Sequence, residues 1–120
     1  MIASGNEQRR TGEDAVVVTG AAGGISAAVV RRLSADGWRI VATDLSAPEV
    51  FDDAILSRPM DVTDAGSIAA LAGSLRDGGV RVAGLVNAAG ILQDVVPFFD
   101  MDPALERRVF EVNYFGALAC

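Results

Sequence analysis

The chain has 120 residues, a formal net charge of −6 and a hydrophobic content of 51%. That length allows one domain, and the apolar share is sufficient for a buried core. An acidic chain gains nothing from a phosphate backbone, so no nucleic-acid partner is expected. All the positive charges are arginine, and the sequence has neither lysine nor histidine. The commonest general base, the commonest metal ligand and every amine nucleophile are thereby missing. Cys120 is the single cysteine, so a zinc site has almost nothing to draw on and no metal site is expected. One cysteine and no secretory hydrophobic run point to a reducing, cytoplasmic setting. No apolar stretch approaches the length of a bilayer span, so no membrane partner is expected.

Residues 1–14 are polar and charged and read as a disordered leader. Residues 15–19 (AVVVT) form a short β-branched run, as expected of a strand buried on both faces. Residues 20–24 are a glycine-rich turn. A helix is expected over 25–36, with Ile25, Ala28, Val29 and Leu33 at helical spacing and Gly37 at its C-terminal cap. Residues 39–43 (RIVAT) form a second strand. The stretch 44–53 is irregular, broken by Pro48, with room for a short helical turn. A third strand spans 54–60, and Pro59 suits its end better than its middle. Thr63 or Asp64 can cap a helix that runs to Asp77, with Ile68, Leu71 and Leu75 on one face. Gly78 and Gly79 end it, and 82–86 (VAGLV) is a fourth strand. Residues 87–100 are loop-like, with a turn near Pro97. Asp102 followed by Pro103 is a strong helix start, and that helix carries Leu105, Val109 and Val112 to the end of the chain.

Strands alternating with helices imply an α/β fold: a parallel, doubly wound, Rossmann-type sheet. About four strands with flanking helices are present, so the sheet is incomplete for that fold. Residues 15–120 read as one α/β unit with no internal boundary.

The junction of the first strand and first helix carries the chemistry. It reads Thr19, Gly20, Ala21, Ala22, Gly23, Gly24, Ile25, Ser26. Unpaired N–H groups at a helix start attract a phosphate, and glycines let the backbone approach it. Such a loop is also a common tight connection with no ligand. Asp44 raises the odds: it ends the second strand, at the usual interval for an acid that hydrogen-bonds the adenosine ribose. On its own, Asp44 reads equally well as a solvated strand end or a helix cap.

Five features in order resemble the short-chain dehydrogenase/reductase family. Thr19, Gly20, Gly24 and Ile25 match its T-G-x-x-x-G-I-G loop, and Asp44 its ribose-binding acid. Asp61 and Val62 match the pair that contacts adenine. Asn87, Ala88, Ala89 and Gly90 match its N-A-A-G motif, and Asn113 the asparagine on the following helix. Each also has a plainer role: a turn at 87–90, a capping neighbour at Asp61, a surface amide at Asn113. Ser26 stands where the family usually has its last glycine. The close pair Gly23 and Gly24 also fits the T-G-x-x-G spacing of the family's extended, epimerase-like branch, whereas residues 87–90 favour the oxidoreductase branch.

The resemblance implies an alcohol–ketone oxidoreductase using NAD, with NADP less favoured because Asp44 repels a 2′-phosphate and Leu45 supplies no cation. It implies cofactor contacts from the loop (Ala22 and Gly23 included), Asp44, Leu45, Asp61, Val62 and residues 87–90, with Asn113 supporting catalysis. It also implies a homo-oligomeric parent protein. Catalysis in the family uses a tyrosine, a lysine four residues later and a serine. Tyr114 is the only tyrosine, and Leu118 stands four residues on. The chain therefore reads as the cofactor-binding portion of such an enzyme, without its catalytic tyrosine and lysine. A stand-alone dinucleotide-binding regulator and a non-functional remnant are the alternatives. Residues 91–99 could line one side of a substrate pocket with Phe98 and Phe99 as its apolar candidates, but ordinary packing is the expected role of these two.

Overall fold

The computed structural model describes residues 14–120. The expected leader therefore lies outside the described residues, except for Asp14, which belongs to the first strand. Strand β1 (Asp14–Thr19) pairs in parallel with β2 (Arg39–Asp44) on one side and with β4 (Arg81–Val86) on the other. Strand β3 (Ile55–Pro59) pairs with β2, giving the order β3-β2-β1-β4. Both β1 and β4 start one residue earlier than the apolar runs suggest. The reason is an ion pair: Arg81 donates from two guanidinium nitrogens to the buried Asp14 carboxylate, with Nη2 to Oδ2 at 2.6 Å. A charged residue at each strand end is thus compensated by the other. Further along, Ala83 is passed over as the register shifts between Ala15 and Val16.

Both faces of the sheet are covered. Helix α1 (Gly24–Ala35) brings Val30 onto Val16, Val18, Ile40 and Ala42. Helix α2 (Ala65–Asp77) lays Leu71 and Leu75 over Ala15, Val17, Val41 and Met60. Odd and even positions of β1 therefore face different helices, which explains its unbroken apolar run. Asp64, not Thr63, caps α2: its Oδ1 accepts from the N–H groups of Gly66 and Ser67. Both helices close alike, with the N–H two residues past the cap reaching back to Leu33 or Leu75 and a left-handed glycine, Gly37 or Gly79, between.

The connection from β2 to β3 is not helical, which corrects the expected helical turn. It folds as a turn in which the Ile55 N–H bonds the Asp52 carbonyl, and the Ser57 hydroxyl ties it down through Pro48. Pro59 does close β3, an edge strand, where a missing N–H costs little.

After β4 the chain loops to a 3₁₀ turn at Phe98–Asp100, then enters α3 (Pro103–Phe110), capped by Asp102. The expected uninterrupted final helix is corrected here. Glu111–Gly116 is wound as a π-helix, and only Ala117–Ala119 (α4) returns to α-helical pitch. Phe98 and Phe99 are also corrected: they are 73% and 95% exposed, with their rings set edge to face. Their segment crosses the surface, and no described element covers it.

Candidate functional site

The first two crossovers step from β1 to β2 to β3, and β4 lies on the opposite side of β1. Chains leaving β1 and β4 therefore diverge at the carboxyl ends of the strands, and a crevice opens there. It is a cleft of about 520 Å³ walled by Thr19 and Gly20, residues 23–26, the end of β2, residues 60–62 and residues 88–92.

Its floor is built by Thr19 and Gly20. The Thr19 side chain is 1% exposed, and its Oγ1 accepts from the N–H groups of Ala88 and Ala89, both at 3.1 Å. The same hydroxyl donates to the Val86 carbonyl at 3.5 Å. Gly20 has φ +62, and a Cβ there would stand 2.7 Å from the Ala89 Cα. Glycine is required on both counts. The motif pairs at 19–20 and 88–89 thus hold each other, and the hydroxyl of Thr19 is engaged by backbone groups.

The next wall is the start of α1. Gly23 is its N-cap and offers no side chain. The first helical N–H groups, those of Gly24, Ile25 and Ser26, have no intrahelical acceptor by geometry. A Cβ on Gly24 would meet nothing within 4 Å, so that edge of the loop borders open space. This is an uncapped positive helix end facing a cleft.

Asp44 stands beside it. Its Oδ2 accepts from the Ala22 N–H at 3.1 Å and its Oδ1 from the Leu45 N–H at 2.8 Å. Both bonds fix the carboxylate at the rim, between the loop and the end of β2. Asp61 occupies the far end with Val62. Its Oδ1 accepts from the Thr63 hydroxyl at 2.7 Å and the Thr63 N–H at 2.9 Å. Those bonds hold the Asp61 carboxyl below the usual carboxylate range, and the charge of Arg108 acts in the same direction.

Asn113 does not line the cleft. Its Oδ1 accepts from the Ile91 N–H and its Nδ2 donates to the Ile91 carbonyl, both at 2.8 Å. The amide thereby clamps the loop after β4 onto the π-helical segment. Gly116 serves the same packing, because a Cβ there would lie 2.7 Å from the Val62 Cγ2. Asn87 likewise bonds out of the cleft, from Nδ2 to the Ala117 carbonyl at 3.0 Å. Ala22 contributes its N–H to Asp44 and is not itself a wall residue.

These features meet the findings of comparison with known proteins. A family model described as short chain dehydrogenase matches residues 14–120. The chain belongs to the short-chain dehydrogenase family. It is 36% identical to a cis-4-hydroxycyclohexanecarboxylate dehydrogenase of Sinomonas cyclohexanicum, over 90% of this chain and 47% of that protein. It is 34% identical to a galactitol 2-dehydrogenase of Rhizobium johnstonii, over 93% of this chain and 46% of that one. The chain thus spans about half the length of these relatives. Among solved structures, a 3-ketoacyl-(acyl-carrier-protein) reductase from Brucella melitensis complexed with NADH superposes with a TM-score of 0.82 at 24% identity, covering 91% of this chain and 48% of that one. A short chain dehydrogenase from Leptospira borgpetersenii with bound NAD+ gives 0.78 at 24% identity, over 89% and 42%. These likenesses establish the parallel Rossmann-type fold.

Several cleft residues were not singled out from sequence. Thr43, Met60, Arg108 and Val112 border it, and of the segment 91–99 expected to line one side, Ile91 and Leu92 do so. Arg108 and Val112 reach it from a helix far along the chain, so no local pattern marks them. A second cleft of about 490 Å³ runs between α2 and β4 and is lined by Leu71, Leu75, Val80 and Leu85. Strand β4 ends the sheet, leaving Val82 and Leu85 nearly half exposed. Among the described residues no helix is long and apolar enough to cross a membrane.

Proposed function

We propose that this chain is the NAD(H)-binding portion of an oxidoreductase that interconverts an alcohol and a ketone. The observation that carries the reading is the Asp44 carboxylate, held against the loop at Ala22 in the same cleft as the uncapped start of α1. A dinucleotide needs both: donors for its diphosphate and an acceptor for its ribose hydroxyls. The open border at Gly24 leaves room for the diphosphate, which supports the fit.

In this reading the N–H groups of Gly24 and Ile25 face phosphate oxygens and Asp44 accepts from the adenosine ribose. Asp61, Val62 and Leu45 flank the adenine end, and Ala88, Ala89 and Gly90 form the opposite wall. Thr19, Asn87 and Asn113 are positioning residues, because their polar atoms hold backbone rather than face the cleft. The nicotinamide supplies hydride transfer when bound. The protein supplies orientation and charge complementarity. A carboxylate at the rim disfavours a 2′-phosphate, and no cation flanks Asp44 at position 45, so NAD(H) is preferred to NADP(H). The family's tyrosine–lysine pair is not in this sequence, since Tyr114 is followed four residues on by Leu118.

The test is fluorescence titration of the chain and of Asp44→Ala with NADH and NADPH. Losing charge-assisted bonds to the ribose costs about 2 kcal/mol, roughly thirtyfold in NADH affinity. NADPH affinity should stay level or rise as the repulsion is relieved. Equal losses for both cofactors would sink the assignment.

A further inference from the structure

Ser26 departs from the glycine expected at its position, and the structure gives its hydroxyl an unusual setting. It is the third residue of the twelve-residue helix α1 and is 4% exposed. It borders the same cleft as Gly20 and Gly24. Among the described residues, nothing donates to or accepts from its hydroxyl. The Gly23 N–H, three residues back, is already bonded to the Gly20 carbonyl at 3.1 Å. The hydroxyl is not sealed in, either. Among the described residues, Thr43 Oγ1 is unpartnered and cut off from solvent, and Ser26 Oγ does not share that condition.

The Ser26 hydroxyl keeps access to the cleft and has no protein partner among the described residues, so its hydrogen-bonding capacity is open to water or a ligand there. Helical Cα–Cβ bonds tilt toward the N-terminus, so a side chain in the first turn leans toward the uncapped end. That end already presents the N–H groups of Gly24, Ile25 and Ser26. The position thus combines helix-end charge with one free side-chain donor, both facing a cleft.

We propose that the Ser26 hydroxyl donates a hydrogen bond to a phosphate oxygen of the bound dinucleotide. The inference rests on the NAD(H) reading above. On this account serine strengthens the phosphate site, whereas departure from glycine alone suggests a weaker one.

The experiment measures NADH and adenosine binding to the wild-type chain, S26A and S26G by NMR shift titration. Adenosine lacks phosphate and serves as the internal control. S26A should weaken NADH about tenfold, as expected for one charge-assisted hydrogen bond, and leave adenosine unchanged. S26G, which leaves no Cβ to crowd the loop, should show the same selective loss. NADH affinity that is unaltered in both variants would overturn the proposal. So would a parallel loss of adenosine binding, which marks a packing defect instead. A wild-type chain that binds neither compound would refute the dinucleotide reading itself, and this inference with it.

Discussion

Thr19 and Thr43 form a matched pair that separates hydrogen bonding from packing. They are register partners on adjacent strands, each 1% exposed, and each followed by a residue at the rim of the same cleft. Thr19 Oγ1 has three backbone partners, whereas Thr43 Oγ1 has none. Valine preserves the shape of threonine and removes the hydroxyl. In Thr19→Val, the N–H groups of Ala88 and Ala89 lose their acceptor. Each orphaned donor costs about 1–3 kcal/mol, and partial burial puts the sum at about 2–4 kcal/mol. In Thr43→Val no partner is lost, and an unsatisfied buried oxygen disappears. The change should lie within about 1 kcal/mol and on the stabilising side. Thermal unfolding followed by Trp38 fluorescence and circular dichroism reads both. Thr19→Val should lower Tm by more than about 10 °C for a domain of this size, while Thr43→Val should leave it level or raise it. Equal destabilisation by the two substitutions would refute the reasoning, since packing alone would then account for both.

Other outcomes follow from the same geometry. Asn113→Ala removes both bonds to Ile91, so amide exchange at Ile91 should accelerate at least about tenfold, matching a loss near 1.4 kcal/mol, while β1 amides stay protected. Unchanged protection at Ile91 would show that the clamp is idle. Asp61 is held below the usual aspartate value of 3.8 by Thr63. A depressed carboxylate contributes fully above that ordinary value and loses its contribution as pH falls through its own lower one. Asp61→Asn should therefore shallow the loss of Tm below about pH 4 relative to wild type. Asp52, lowered chiefly by its bond to Ser34, titrates in the same direction in both proteins and cancels in the comparison. Superimposable acid profiles would contradict this.

The parts of the fold that were legible in sequence are those dictated locally. The unbroken β-branched run of β1 reports burial on both faces, and the glycines at 20 and 37 report backbone conformations that only short-range sterics require. The spacing from the loop to Asp44 carries the cleft because one helix and one strand fix it. What escaped is non-local. The strand starts at Asp14 and Arg81 depend on a partner 67 residues away. The π-helical winding at Glu111–Gly116 arises where Asn113 must meet Ile91 and Gly116 must meet Val62, and helical periodicity carries no mark of it. Thr19 and Thr43 look alike in sequence, and only the crossing of residues 88–89 over one of them makes them differ.

The central claim is that the cleft at the carboxyl ends of β1, β2 and β4 takes a dinucleotide. The direct test is an amide shift map of the 120-residue chain titrated with NADH. The account predicts saturable shifts at residues 20–26, at Asp44 and Leu45, at Asp61 and Val62, and at residues 88–90. An absence of saturable shifts, or shifts concentrated at Leu71, Leu75 and Val80 along the α2–β4 cleft, would contradict it.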